Sequence, residues 1–588
     1  MCSPWGEKAA AAFPVPPGDT GAGSCPLPEY PRPQMAREDW INLNGWWDYA
    51  IAPAGQGYPG PQGKILVPFS PETALSGVGR VLRPGECLWY EKEIGPVSLR
   101  EGRRLILHFG AVDERCAVWW NGKLLGKHRN GYLSFEFDVT DRVRPDRNRL
   151  LVCVRDDTDR GTACCGKQRL HPGGMYYQCQ SGIWQTVWLE NVPALHIRDL
   201  KIVPRPEKRE VLLEIGTSDP ERIIGGRDLS VCIEAEGRKR LYVRGEGEGT
   251  YEAVEGGRIR LTLPVERLRL WTPERPELYP AVITLGEDRV ETYFAMRSFG
   301  TGVDAKGHPC LTLNGKPYFF YGVLDQGYWP ESLMTAPSDE AMAEDILAMK
   351  RLGFNMLRKH EKTEPARWYW HCDRLGMAVW QDMVHGGGPV RELFTKYLPN
   401  IWPPVCRMIS DRHYGIFSRK DPGARKRFEE DLILMVRQLG NAPCIGLWVL
   451  FNEGWGQFDS LHLTGLMKKE DPTRPVDHAS GWYDQGGGDI RSDHNYFRKL
   501  AVEKDSRPYV LSEYGGYSCR VPGHTMFPGN YGYHASSPEK FRADFAKIRH
   551  SIEALRERGL SAAVYTQLSD VEEETNGLLT YDRKVCKL

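Results

Sequence analysis

Two glutamates carry the clearest chemistry in this chain. Glu453 lies in Phe451-Asn452-Glu453-Gly454-Trp455, and Glu513 lies in Leu511-Ser512-Glu513-Tyr514-Gly515. Each follows an apolar run that reads as a strand, so each is the polar side chain delivered where a strand ends. A single glutamate in that position is most simply a solvated rim residue. Two of them, both in aromatic and glycine-rich sequence, form a pair that can meet across one cleft. Paired carboxyl groups suit glycoside hydrolysis, in which one carboxylic acid protonates the leaving oxygen and one carboxylate attacks the sugar carbon.

The surrounding pattern supplies a frame that could hold such a pair. From Thr301 onward, strands and helices alternate. Strands are expected at Tyr318–Val323, Asn355–Arg358, Ala378–Gln381, Ile445–Phe451, Pro475–His478, Ile490–His494, Tyr509–Ser512 and Ala562–Gln567. Helices are expected at Ser338–Leu352 (Ser338 as N-cap), Glu364–Leu375, Lys426–Leu439, Leu461–Lys469 and Pro538–Arg558. Eight strands alternating with helices fit a (β/α)8 barrel, whose site lies at the carboxyl ends of the strands. Glu453 and Glu513 then close the fourth and seventh strands.

Upstream the texture is β-rich. Arg104–Phe109, Cys116–Trp120, Phe135–Val139, Leu150–Val154 and Thr186–Glu190 read as short strands, with Asn121-Gly122 as a hairpin turn. They imply a jelly roll over 31–192. Val211–Ile215, Leu229–Glu236, Ile259–Leu263 and Ala281–Leu285, with their neighbours, imply about seven strands of an immunoglobulin-like β-sandwich over 193–300. Residues 301–588 are the barrel. Residues 1–30 read as a flexible arm, without the basic and apolar segments of a secretory signal. The Gly245-Glu246-Gly247-Glu248-Gly249 stretch lacks a strand-to-helix context and reads as a hairpin loop rather than a phosphate cradle. The fold class is thus multidomain β plus α/β.

Bulk composition narrows the classes. The 588 residues exceed what one core serves, and the 77 Lys plus Arg balance 77 Asp plus Glu, giving no basic surplus for nucleic acid. No apolar run is long enough to cross a bilayer, so no membrane is expected as a partner. Eighteen Trp and 26 Tyr suit sugar stacking, although most are accounted for by sandwich cores. The 15 Cys are scattered without a C-x-x-C pair, as in a thiol protein of a reducing cytoplasm. The sequence carries no Walker motif, H-E-x-x-H or dinucleotide fingerprint. Association into a homo-oligomer is left open.

Further motifs share one pattern. They are Trp40-Ile41-Asn42-Leu43-Asn44-Gly45, Trp89-Tyr90, Gly182-Ile183-Trp184, Trp271 with Pro273, Leu278, Tyr279 and Pro280, Arg297 with Phe299 and Gly300, and Leu313-Asn314-Gly315-Lys316-Pro317. Together with the two glutamate segments, over about Arg32 to Arg583, they make the chain resemble glycoside hydrolase family 2. This is the family of β-galactosidases, β-glucuronidases and β-mannosidases. The resemblance implies a jelly-roll sugar-binding domain, an immunoglobulin-like domain and a catalytic barrel. It implies Glu453 as acid/base, Asn452 holding the sugar 2-hydroxyl, Glu513 as nucleophile and Tyr496 bonded to it. Arg358 and His360 at the second strand and Asp382 at the third are implied site-shaping residues, and His494 and Trp482 are grouped with them as substrate-binding. For Asp325, His360, Asp382 and Gln567, sugar contact and a structural hydrogen bond in the barrel rim stand as equal alternatives.

The departures from the family pattern also inform. Arg358-Lys359-His360-Glu361-Lys362 replaces an Arg-x-Ser-His pattern, and Met383-Val384-His385-Gly386 replaces the Glu-x-His of magnesium-dependent relatives, so no cofactor and no catalytic metal are expected. The triple-glycine stretches at Gly386 and Gly486 read as active-site loops. The chain ends soon after the last strand, so the extra C-terminal domains of large relatives are expected to be missing. The expected function is a retaining exo-glycosidase acting on a carbohydrate, β-galactosidase-like first. β-Galactofuranosidase, α-L-arabinofuranosidase, β-mannosidase and a non-catalytic carbohydrate-binding protein are the alternatives. A β-glucuronidase is not expected, because the Asn-x-Lys segment of such relatives is matched here by Glu574-Thr575-Asn576 before Gly577-Leu578. Glu572, Glu573 and Glu574 there should repel a sugar carboxylate, unless Arg358 or Lys359 supplies a cation.

Overall fold

The structure is a computed structural model that describes residues 1–14, 25–97, 99–219, 229–235, 238–243, 250–254, 258–529 and 531–588. The glycine-rich stretch at 245–249 lies outside these residues. So do Glu236, the last residue of one expected strand, and 15–24 of the expected arm. Pro4–Ala12 form a helix whose N-cap Ser3 accepts from Gly6 N and whose backbone N–H donates to Glu331 Oε2 at 3.0 Å. Ala9 and Phe13 pack with Leu66, Phe69 and Leu75, so burial of an apolar face fixes a segment whose composition alone suggests disorder.

The jelly roll pairs a four-stranded sheet with a six-stranded one. Its core is the inward alternation of Trp47, Ile51, Leu88, Tyr90, Val118, Trp120, Leu150 and Val152. Asn121 and Gly122 both take positive φ (50° and 79°), as the tight hairpin between Arg115–Trp120 and Lys123–Arg129 requires. Among the described residues the second domain has two four-stranded antiparallel sheets, where about seven strands were expected. A three-stranded antiparallel sheet (Phe299–Val303, Pro309–Leu313, Lys316–Pro317) leads into the barrel.

The barrel strands are Phe320–Asp325, Met356–Lys359, Ala378–Asp382, Ile445–Val449, Val476–Asp477, Arg491–Asn495, Tyr509–Gly515 and Leu560–Thr566, all paired in parallel. In space they run fifth, fourth, third, second, first, eighth, seventh, sixth. The fifth and sixth are linked across the remaining gap by Asp489 N to Val476 O (2.8 Å) and Ser492 Oγ to Asp477 Oδ1 (3.0 Å). Ser338 caps the first barrel helix, Asp339–Arg351, as expected, its side chain accepting from Ala341 N. The segment from 383 to 421, between the third strand and the next long helix, instead of a short turn holds a π-helical turn and two one-turn helices.

Candidate functional site

Glu453 leaves the fourth strand through a turn that only a constrained backbone makes. It has φ +50° and is followed by Gly454 at φ +74°, where a Cβ would come within 2.6 Å of the Tyr483 ring. Left-handed backbone at a non-glycine residue costs about 1 kcal/mol or more and persists where the surroundings fix it. Here Glu453 N donates to Ser480 O at 2.9 Å, and the turn sets the carboxyl into the barrel mouth. Glu513 needs no such device, because it sits within the seventh strand and its side chain points inward.

The two carboxyl groups meet. One oxygen of each, together with a nitrogen of His494, lie within 4.8 Å of one another. His494 stands between them. Its Nδ1 is 2.9 Å from Glu453 Oε1, and its Nε2 is 3.0 Å from Ser480 Oγ and 3.6 Å from Glu513 Oε1. Glu513 is heavily partnered. Oε1 accepts from Arg358 Nη1 at 3.0 Å and Oε2 accepts from the Tyr496 hydroxyl at 2.6 Å. Arg358, fully buried, also forks onto Asp382 (2.9 and 3.0 Å) and donates to Asn452 Oδ1 at 2.9 Å. His360 Nδ1 lies 2.7 Å from Asp382 Oδ2. The Trp482 indole donates to His494 O at 3.1 Å.

Electrostatics separate the two glutamates. Burial alone would push the Glu513 carboxyl up, but His494, Arg358 and His360, and then the Tyr496 hydrogen bond, hold it down at about 2. Burial likewise opposes charging His494, yet Glu513 and Glu453 outweigh it and raise its value. Burial and the neighbouring carboxylates push the Tyr496 phenol well above its usual range, so it remains a donor. The Glu453 carboxyl has one partner among the described residues, His494 at Oε1. Its other oxygen has none among the described residues.

Arg358, His360, Asp382, Asn452, Glu453, Trp482, His494, Tyr496 and Glu513 are therefore assembled in one site. Asp325 and Gln567 take their partners outside this network. Asp325 pairs with Lys359 at 2.5 Å, in a buried cluster with Glu364 and Lys362. Gln567 is fully buried and spends its amide on Asn576 Oδ1 (2.9 Å) and Gln326 (2.7 Å). His385, not among the expected site residues, has its Nδ1 2.6 Å from Glu361 Oε2 and its ring 5.2 Å from that of Trp455. Its position in the motif that departs from the family pattern was the available signal.

The jelly roll reaches into the same mouth. Cys165 N and Gly166 N donate to His385 O at 3.0 and 3.1 Å, and a Cβ on Gly386 would fall 2.3 Å from Ala163 O, so glycine is required there. The Tyr176 ring lies 5.8 Å from Trp455, with the Arg169 guanidinium 4.1 Å above it. Glu572 accepts from Gln178 N, Glu573 from Gly174 N, and Glu574 from the Tyr177 hydroxyl, with Lys167 at 3.7 Å. The three glutamates expected to repel a sugar carboxylate are instead bonded to this loop. Arg358 and Lys359, the two cations considered for such a charge, are each spent on buried carboxylates.

Two β-rich domains followed by a (β/α)8 barrel, with buried carboxyl groups bridged by His494 at the barrel mouth, define the architectural class. Family models agree domain by domain. The glycosyl hydrolase 2 galactose-binding domain-like model matches 85–186, the glycosyl hydrolases family 2 model 195–297, and the family 2 TIM barrel model 306–584. The chain belongs to glycosyl hydrolase family 2. It is similar to β-galactosidases of Yersinia enterocolitica (27% identical over 470 residues, 73% of this chain and 41% of the relative) and Yersinia pestis (27% over 474 residues, 74% and 41%). The chain thus spans about two fifths of the length of these relatives. Solved structures with the same fold include an uncultured Clostridium sp. β-glucuronidase (TM-score 0.69, 19% identical, 94% of this chain and 96% of that one). Another is a β-galacturonidase from Eisenbergiella tayi bound to galacturonate (TM-score 0.67, 19% identical, 94% and 96%). No helix among the described residues is long and apolar enough to cross a membrane.

Proposed function

We propose that the chain is a retaining exo-glycosidase with Glu513 as nucleophile and Glu453 as acid/base. The observation that carries this reading is the asymmetry within the pair. Glu513, clamped by Arg358, His494 and Tyr496, is kept ionised for attack, whereas Glu453 leaves one oxygen unpartnered to protonate a leaving group. Carboxyl oxygens within 4.8 Å support retention, since an inverting pair stands about 6.5–9.5 Å apart to admit water. In the first step Glu453 gives its proton to the glycosidic oxygen while Glu513 bonds to the anomeric carbon. In the second, Glu453 takes a proton from water, which displaces Glu513. Asn452 holds the sugar 2-hydroxyl in this reading, which is supported by an Nδ2 that has no hydrogen-bond partner among the described residues while its Oδ1 accepts from Arg358.

The first sugar to test is a β-galactoside, supported by the similarity to β-galactosidases. One observation favours a second reading, an acidic sugar. Lys167 and Arg169 bring cations to the mouth from the jelly roll; Lys167 faces Glu574 at 3.7 Å, and Arg169 lies over Tyr176 with Asp159, at 3.9 Å, as its one ion-pair partner among the described residues. A panel of aryl β-galactoside, β-galactofuranoside, α-L-arabinofuranoside, β-mannoside, β-glucuronide and β-galacturonide, with and without chelator, tests both. Turnover of a neutral glycoside unaffected by chelator supports the first reading, and faster turnover of a uronide supports the second. Cleavage of none, with intact fold, would sink the glycosidase assignment.

A further inference from the structure

A cavity of about 370 Å³ lies at the seam between the jelly roll and the barrel, and none of the residues joined to Glu453 and Glu513 lines it. Four arginines do. Arg115 and Arg129 face each other across a jelly-roll hairpin, Arg419 precedes the barrel helix Pro422–Leu439, and Arg427 belongs to that helix. Three of them reach solvent and are paired. Arg115 bonds Asp157 and lies 3.7 Å from Glu114, while Arg129 meets Glu430 at 2.6 Å and Asp431 at 3.7 Å. Arg427 is 3.5 Å from Asp421 and donates to Thr162 Oγ1 at 2.6 Å.

Arg419 differs. It is 1% exposed, and no carboxylate among the described residues pairs with it. Its Nε donates to Gly456 O at 2.7 Å, and its Nη2 has no partner among the described residues. The rings of Phe428 and Phe458, at 4.6 and 5.3 Å, attract the charge but offer no acceptor oxygen. Burial pulls this guanidinium down to about 10, whereas Arg358, equally buried, is held up by Asp382 and Glu513. A buried cation without a paired anion is strongly unfavourable. The carboxylates of the cavity wall do not relieve it, because Glu114 and Asp157 lie against Arg115 and Asp431 against Arg129.

We propose that this cavity binds a small oxyanion of the phosphate or sulfate type, with Arg419 as its buried anchor and Arg129 and Arg427 closing over it from the rim. A planar guanidinium fork matches the oxygens of such an anion. Ala424, in the first turn of Pro422–Leu439, lines the same cavity, and the amino end of a helix adds positive potential there. The site is linked to the catalytic pair. Gly456, the acceptor of the Arg419 bond, lies three residues after Glu453, at φ +60°, where a Cβ would fall 2.4 Å from Gly386 O. An anion that fixes Arg419 therefore steadies the turn that presents Glu453. Binding stands apart from the glycosidase reading, and only the effect on turnover rests on it.

Calorimetry on the full-length protein with inorganic phosphate, ionic strength being matched with sodium chloride, is expected to show one saturable site with a Kd of about 1 mM or tighter. Arg129→Gln combined with Arg427→Gln should weaken it about tenfold or more, and Arg419→Lys, which keeps the charge but loses the fork, should do the same. Near-UV circular dichroism checks the fold of each variant. Arg275→Gln, an exposed arginine of the immunoglobulin-like domain, should keep the parent affinity. A hexose 6-phosphate that binds more tightly than phosphate would identify a phosphorylated sugar as the source of the anion, and equal or weaker binding would identify the free ion. With an aryl glycoside that the protein hydrolyses, phosphate should change kcat with half-effect at the calorimetric Kd, and the double variant should lose the change. Absence of saturable binding overturns the proposal, as does binding that the double variant leaves intact, which would mean an adventitious ion only. Binding without any effect on kcat overturns the link through Gly456. Phosphate binding without hydrolysis of any glycoside would count against the glycosidase reading alone.

Discussion

Replacing Tyr496 with Phe removes one oxygen and nothing else from the Glu513 environment. The lost bond, 2.6 Å from hydroxyl to Oε2, is a charge-assisted one in a buried site. Such bonds are worth about 1.5–3 kcal/mol, which corresponds to a pKa change of about one to two units. The sign follows from the folded state. Glu513 is held at about 2 against the upward push of burial, so removing a donor to its ionised form raises it. The carboxylate would then be half protonated about one to two pH units higher, moving the acid limb of nucleophilic attack upward by that amount. The suitable assay is the rate of labelling by a mechanism-based 2-fluoro glycoside, measured in brief exposures from pH 3 to 8, with near-UV circular dichroism confirming the fold at each pH. The plateau rate falls as well, since the phenol positions the attacking oxygen, but the midpoint of the limb is the diagnostic quantity. His494 and Arg358 outrank Tyr496 among the influences on Glu513, so Arg358→Met should move the limb further than Tyr496→Phe. An unmoved limb in Tyr496→Phe, or an equal shift in both variants, would refute this account of how the nucleophile is kept ionised.

Glu513→Gln is expected to abolish hydrolysis by several orders of magnitude while leaving the unfolding midpoint close to the parent, and peptide mapping of the fluoro-glycoside label should find Glu513. Glu453→Ala should slow substrates with poor leaving groups far more than activated aryl glycosides, and azide should rescue the activated ones as a retained glycosyl azide. Equal damage to both without rescue would remove Glu453 from the acid/base role. His494 is raised above its ordinary 6.5 by Glu513 and Glu453 despite burial. Its stabilising contribution is therefore complete below pH 6.5 and is lost as pH rises through the folded value. His494→Gln should thus lower the unfolding midpoint most at acid pH, with the gap to the parent closing as pH rises, and a gap that widens instead would reverse the assignment.

The amino-acid sequence alone determined the barrel and the identity of its two glutamates. Short strands, most of them apolar, and helices with i, i+3, i+4 periodicity are local patterns, and Ser338 caps its helix through its own neighbours. A glutamate at the end of such a strand needs no tertiary knowledge to be singled out. Tertiary structure decided which polar residues join the pair. Asp325 and Asp382 both end barrel strands, yet one faces Lys359 on the outside of the second strand and the other faces Arg358 on the inside. Successive side chains of a strand point to opposite faces, so a shift of one position exchanges catalytic frame for structural ion pair. Arg169, Tyr176 and the partners of Glu572, Glu573 and Glu574 were out of reach for a different reason. They meet the barrel across some 280 to 400 positions of chain, as Glu573 with Gly174 (399 apart) illustrates, through packing of two domains that no local periodicity encodes. The N-terminal helix follows the same rule, because its contacts run from Ala9 and Phe13 to Leu66, Phe69 and Leu75, distant in sequence.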